Sequence, residues 1–175
     1  FSGIVEADEL LMKYSEKGRK FKNKEEYRKA KKKKHPKVAV LVVTDREGNL
    51  LFKQVGEKKV KNEQLREELK SRLSENNLIC VKPQKEFRKA VKSLQSKKVI
   101  VNKRQIKRGI YSVKIVENKI SDFKTWLSRF HGVATKYLQS YLMWFVIMNK
   151  YLKELIDPDI GRLLNLSSHD RWAWD

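Results

Sequence analysis

The chain has 175 residues, 40% of them hydrophobic and 35% charged, which is enough for one domain with a core and too few for two of ordinary size. Its 41 Lys and Arg against 21 Asp and Glu leave a formal charge of +20, which opposes compaction and makes sense chiefly beside a polyanion, nucleic acid first and a membrane surface a weaker second. No apolar run reaches the roughly 18–20 residues of a bilayer span, no signal peptide is visible, and the single Cys80 excludes an internal disulfide or cysteine zinc cluster, in keeping with a reducing cytosol.

Residues 1–12 (FSGIVEADELLM) read as a short strand in which apolar Ile4 and Val5 stand beside the acids Glu6, Asp8 and Glu9. A buried, unpaired carboxylate is strongly disfavoured. The acids therefore either bind something or end the strand in water, and the pattern leaves both readings open. Residues 13–37 are a different material, with KGRKFKNK and RKAKKKKHPK and almost no apolar side chains. Like charges at this density repel, so a basic loop or arm is expected, helical over 24–33. Lys31, Lys32, Lys33 and Lys34 are its candidate phosphate contacts, giving affinity without sequence specificity; the bland alternative is a solvated tail.

Residues 38–54 are the clearest hairpin. The run VAVLVV predicts a strand buried on both faces, residues 45–49 supply the turn, and Leu50 begins the return. Asp45 and Glu47 read as turn residues facing water. Residues 62–73 form an amphipathic helix with Asn62 as its cap and Leu65, Leu69 and Leu73 inward. LICV at 78–81 is a short buried strand, residues 86–94 a second helix with Phe87, Val91 and Leu94 inward, and 99–101 a further strand candidate before a basic segment at 104–108.

The longest helical pattern runs from Val113 to Phe145. Phe123, Trp126, Leu127 and Phe130 recur at three- and four-residue steps, His131-Gly132 breaks the run, and Tyr137, Leu138, Tyr141, Leu142, Trp144 and Phe145 begin a second, more uniformly apolar helix. Trp126, Phe130, Tyr137, Tyr141, Trp144 and Phe145 have the spacing of core packing rather than of base-stacking platforms. Arg129 and Lys136, beside them, are better candidates for phosphate contacts. Glu117 heads the first helix, with Lys124 two turns later on the same side. Strands alternating with helices predict an α/β fold with a mixed sheet. The sequence holds no repeat, no Gly-rich phosphate loop and no nucleophile constellation, and His35, His131 and His169 lack metal-ligand spacing. Asp8, at the end of a strand, and Glu117, at the start of a helix, are the acids able to converge on a hard divalent cation.

These residues also carry a resemblance. The opening FSGIVEADE, the hairpin VAVLVVTDREGN and above all FKTWLSRFHGVATKYLQSYLMWF are similar to the catalytic domain of bacterial insertion-sequence transposases of the DDE type, the ISXO2-like group. The resemblance implies a ribonuclease H-like domain over 1–149, a mixed sheet flanked by helices, with 150–175 as a tail packed on the domain or on a partner subunit. It implies metal-dependent strand cleavage and transfer at transposon ends, with Mg²⁺ or Mn²⁺, on double-stranded DNA. A homo-oligomer in the bacterial cytoplasm, associated with the nucleoid and not with membrane, is implied as well.

Carried over position by position, Asp8 in VEADE matches the family's first metal-binding aspartate and Glu117 its third acidic or amide residue. Lys124 matches a basic residue expected to contact DNA near the reacting end. The second aspartate is expected just after LICV, where this chain has Lys82 and then Pro83. An ammonium there puts like charge where the cations should sit. Glu75 precedes the strand and Glu86 lies four residues beyond Lys82, so neither replaces it by position. Two readings follow: a catalytic domain impaired at its second acid, or a catalytically dead, transposase-derived DNA-binding or assembly module. A basic RNA-associated protein, the reading from charge alone, leaves the opening acids and HGVATKYL unexplained. Longer members of the family carry a zinc ribbon or helix-turn-helix ahead of this domain. A start at Phe1, with no methionine and no cysteine pair, points to a piece of a longer protein whose end-recognition region lies upstream.

Overall fold

The structure, a computed structural model, describes residues 1–32, 37–57, 61–94, 96–101, 107–108 and 110–154. Of the expected basic arm, Lys33 and Lys34 lie outside the described residues, as do the side chains of Lys31 and Lys32. The basic segment at 104–108 is described only at 107–108, and the tail beyond 154 falls outside altogether.

The β-branched run after Pro36 builds β2 (Lys37–Asp45), buried from Val38 through Asp45. Side chains branched at Cβ are stiff and suit a pleated surface covered on both faces. β2 lies antiparallel to both β1 (Ile4–Lys13) and β3 (Leu50–Glu57). On its other side β1 pairs in parallel with β4 (Leu78–Val81), which pairs in parallel with β5 (Lys97–Ile100). The result is a five-stranded mixed sheet of order β3-β2-β1-β4-β5.

Parallel neighbours need crossovers. α2 (Asn62–Lys70) leads from β3 to β4 and α3 (Lys85–Lys92) from β4 to β5, and both cover one face of the sheet. There Leu65, Leu69, Phe87, Ala90 and Val91 pack on Val5, Ala7, Leu41, Ile79 and Val81. The opposite face carries α4 (Lys114–Ser128) and α5 (Leu138–Glu154), where Val116, Phe123, Leu142 and Phe145 pack on Leu10, Val40, Val42, Phe52 and Cys80. A short ribbon of β6 (Lys107–Arg108) and β7 (Tyr111–Ser112) precedes α4, and α1 (Lys24–Lys32) rises from the basic segment. This is the expected α/β architecture, a mixed sheet flanked by helices, and it is consistent with the ribonuclease H-like fold.

Several local expectations change. The first strand runs on to Lys13, so Asp8 lies mid-strand and not at its end. Two of its three acids do not reach water: Glu6 and Asp8 are both buried, because β1 is the central strand and α4 covers their face, while Glu9 is half-buried. Asp45 is also buried, since its carboxylate folds the hairpin turn around itself. It accepts the backbone N–H of Ser2, Gly48 and Asn49 and the Asn49 side-chain amide. Asn62 is the first helical residue of α2; Lys61 is the cap position, its backbone N–H donating to Gln64 Oε1.

The basic segment is anchored at its base, where Ser15 and Thr135 exchange bonds at 2.8 Å. In the aromatic series, Phe145 is core and Trp126 packs against it, while Trp144 is exposed because α5 meets the sheet along one side only, and Tyr137 is exposed in the 3-10 turn (Thr135–Tyr137) ahead of α5. The break between α4 and α5 falls at His131 and Gly132, both at positive φ (50° and 96°), a region glycine enters without penalty.

Candidate functional site

Three elements bring the site together. β4 stops at Val81, opposite Ala7, so the chain leaves the sheet beside Asp8. Pro83, which has no N–H to give a ladder, helps end the strand there. Lys82 turns its ammonium back over the sheet, 2.6 Å from Asp8 Oδ2 and 2.7 Å from Glu117 Oε1. The remaining Asp8 oxygen, Oδ1, accepts the Glu9 backbone N–H at 2.9 Å. One nitrogen thus holds two carboxylates from β1 and α4 within about two hydrogen-bond lengths of each other.

Glu117 is delivered by a neighbour of Asp8 in β1. No side chain of its own caps α4, and Val113 stands at the cap position. The fully buried Glu6 takes that role from across the fold, its Oε2 accepting the N–H groups of Ile115 (2.8 Å) and Val116 (3.1 Å) and its Oε1 the Ser112 hydroxyl (2.9 Å). Those amides are the second and third of the helix, the pair a capping side chain ordinarily satisfies, and the helix dipole favours an anion there. Glu6 and Asp8 lie on the same face of β1, two residues apart. Fixing the helix start on Glu6 therefore brings Glu117, in the first turn of α4, toward Asp8.

Partial burial alone would lower the Lys82 pKa. The hydrogen bonds and charges of Asp8 and Glu117 outweigh it and raise the ammonium above the ordinary lysine value. The centre opens into a cleft of about 510 Å³, whose walls also include Gln84, Ser121 and Lys124. Asp8 is nearly closed off, its side chain 6% exposed, while Lys82 at 27% and Glu117 at 33% face the cleft.

Of the residues expected from sequence, Asp8, Lys82, Glu117 and Lys124 share this cleft. Arg129 and Lys136 do not. Arg129 is exposed at the far end of α4, and the Lys136 ammonium lies 4.6 Å over the Tyr137 ring, lining a separate 270 Å³ pocket with Lys17 and Arg19. Glu86 sits in the first turn of α3, outside the cleft. Glu6 is the positioning acid that pattern reading does not single out: it looks like any acid of the opening strand, and its partners are more than 100 residues away.

The donor set does not fit a two-metal centre. Two-metal phosphoryl chemistry uses several converging carboxylates, one of them bridging both ions. Here the Asp8 and Glu117 carboxylates are each already bonded to the same ammonium, and Glu9 is the third acid on the cleft wall. Among the described residues no group of three or more His, Cys, Asp or Glu is placed to hold a metal ion, and no helix is long and apolar enough to cross a membrane.

No curated protein and no solved structure matches the chain. The family model described as the ISXO2-like transposase domain matches residues 1–148, which takes in all three site residues, β1 to β5 and α4. That match covers most of the sequence, and the chain belongs to the ISXO2-like family of DDE-type insertion-sequence transposase domains.

Proposed function

We propose that this domain binds duplex DNA as a transposase-derived module and cleaves or joins strands poorly or not at all. The observation that carries this reading is the Lys82 ammonium bonded to both Asp8 and Glu117. Charge-assisted hydrogen bonds are the strong ones, and a divalent cation would have to break two of them to reach the same oxygens. It would then stand beside a lysine side chain, whose ordinary pKa lies far above neutral. Asp8 and Glu117 remain the metal ligands that the family's pattern assigns, with Mg²⁺ or Mn²⁺ as the ion, once that ammonium is removed. Lys124, exposed on the cleft wall, is suited to a backbone phosphate near the centre. Arg129, Lys136 and the lysines at 31–34 would add sequence-independent affinity elsewhere. A bacterial cytoplasmic location at the nucleoid, self-association on paired DNA ends, and a tail from 150 packed on the domain or a partner subunit complete the proposal.

Calorimetric titration with Mn²⁺ tests it, comparing the native chain with Lys82→Asp. Binding by the variant alone is the expected result, because the substitution removes the internal cation and supplies a third carboxylate. Tight binding by the native chain, together with nicking of terminal-repeat DNA that Asp8→Ala abolishes, would establish an active enzyme and end this reading.

A further inference from the structure

The loop that brings Lys82 to the centre also joins it to a second hollow. Gln84 lines the Asp8–Glu117 cleft. Its neighbour Pro83 lines a groove of about 270 Å³ whose other walls are Lys85, Arg88, Lys89 and Lys92. In α3 these four cations stand at i, i+3, i+4 and i+7, a single helix face, and all four are exposed. The opposite face holds Phe87, Ala90 and Val91 buried against the sheet, so α3 cannot roll the charges away. Glu86 is the helix's sole acid. Among the described residues none of the four cations is in an ion pair. Exposed Lys97 and Lys98 on β5 continue the same charge, and Lys98 Nζ reaches the Lys92 carbonyl at 3.3 Å.

Like charges three and four residues apart disfavour a helix, so this face is at its most stable when an anion lies against it. Residues 85 to 92 rise about 10.5 Å, close to three base-pair steps of about 3.4 Å along one strand. We propose that the exposed face of α3 is a phosphate track for duplex DNA. It would hold the duplex flank beside the Asp8–Lys82–Glu117 centre, with the loop Lys82–Pro83–Gln84 as the junction. The contacts are to backbone, so the track confers affinity and placement without reading sequence. The inference rests on the DNA-binding reading above and names a surface for it.

Affinity of the full chain for a random-sequence duplex, measured by fluorescence anisotropy across a salt series, tests the track. Arg88→Gln/Lys89→Gln/Lys92→Gln is expected to lower the slope of log affinity against log salt by about 2 to 3, at about 0.9 per lost phosphate contact. Lys85→Arg/Lys89→Arg/Lys92→Arg keeps the charge and is expected to keep the slope. Lys61→Gln/Arg66→Gln/Lys70→Gln, which removes as much charge from α2 and its cap position, is expected to change it far less. Thermal melts of all three variants monitor folding, and the charge-retaining variant separates lost contacts from lost structure. An equal drop in the α2 variant would reduce the effect to bulk charge and overturn the track. So would an unchanged slope in the α3 variant while the unmodified chain binds. Absence of duplex binding by the unmodified chain would overturn the DNA reading and the track together.

Discussion

Glu6 and Asp8 are two residues apart on one face of one strand, and what separates them is the partner each finds. Glu6 meets amide dipoles and a hydroxyl; Asp8 meets an ammonium. A carboxylate with no exposed surface is tolerated only where such partners replace its hydration. Glu6→Gln keeps the shape but gives up the charge and one acceptor, and it is expected to cost about 1–2 kcal/mol, the range of a lost helix cap with its dipole interaction. Urea unfolding measures this, and an unchanged midpoint would mean that Glu6 contributes nothing as an anion. The convergence of Asp8, Lys82 and Glu117 is legible in the sequence because each sits in a recognisable stretch: VEADE, the residues after LICV, and the head of a long helix. Glu6 is not legible in that way. Its role is defined by Ser112, Ile115 and Val116, and no local pattern in VEADE names residues that far along the chain. Asp45 fails for a related reason. Turn composition marks it as polar, but one of its bonds comes from Ser2, 43 residues earlier in the chain.

α4 is clamped at both ends by residues in and just beyond β1. Glu6 holds the first turn, and beyond the end of the strand Lys17 donates its ammonium to the carbonyls of Phe130, His131 and Gly132 at 3.2, 3.2 and 2.8 Å. Those carbonyls lie just past the negative end of the helix, where a cation is favoured. Lys17 thus belongs to the basic segment by composition and to the α4 terminus by function, which charge density alone does not distinguish. Lys17→Met is expected to speed amide hydrogen exchange in residues 127–132 by about 2- to 5-fold, the range of one helix-end charge interaction, while exchange in β2 stays the same. Equal exchange at that helix end would show the three contacts to be incidental. The other elements follow the same division. α2, α3, α4 and α5 are readable because period 3.6 runs through their apolar residues, and the hairpin because a continuous β-branched run meets a turn. The ends of α2 and α3 shift by one or more positions, since Leu73 and Leu94 pack on the core from beyond the last turn of their helices. β5 begins at Lys97, two residues before its apolar pair, because parallel pairing with β4 sets its limits. The edge of β3 is finished by a side chain: Gln139 of α5 accepts the Gln54 N–H at 2.8 Å and donates to the Phe52 carbonyl.

At the scale of the whole molecule, a charge of +20 works against folding at every pH where the lysines are protonated. Composition makes that burden plain from the start. Alternation of strands and helices gives the α/β class, but the order β3-β2-β1-β4-β5 depends on which strands meet, and that is not encoded in any single strand's periodicity. The acids that tie the sheet together give stability a pH profile whose sign follows from their pKa shifts. Burial alone would raise the Asp45 pKa; the hydrogen bonds from Asn49, Ser2 and Gly48 overcome it and hold the carboxyl below the ordinary aspartate value. A group depressed in the folded state contributes stability that is fully present above its unfolded pKa, near 3.9, and is lost as pH falls through the folded value. Lys82 is the mirror case: its raised pKa contributes stability present below the unfolded value, near 10.4, and lost as pH rises through the folded one. Acidification also protonates the other carboxylates and increases the net positive charge, so an acid limb by itself does not identify Asp45. The difference between native chain and Asp45→Asn does. At pH 7 the variant is expected to be less stable by about 1–2 kcal/mol, the size of a few hydrogen bonds to a charged acceptor weakened but not abolished. That gap should hold down to about pH 4 and narrow steadily below it, as the native carboxyl takes up its proton and comes to resemble the amide. Urea midpoints for both proteins at half-unit steps from pH 7 to pH 2.5 give the gap directly. If it stays constant through that window, Asp45 titrates alike in the folded and unfolded chains, and its bonds to Ser2 and the turn do not favour the anion.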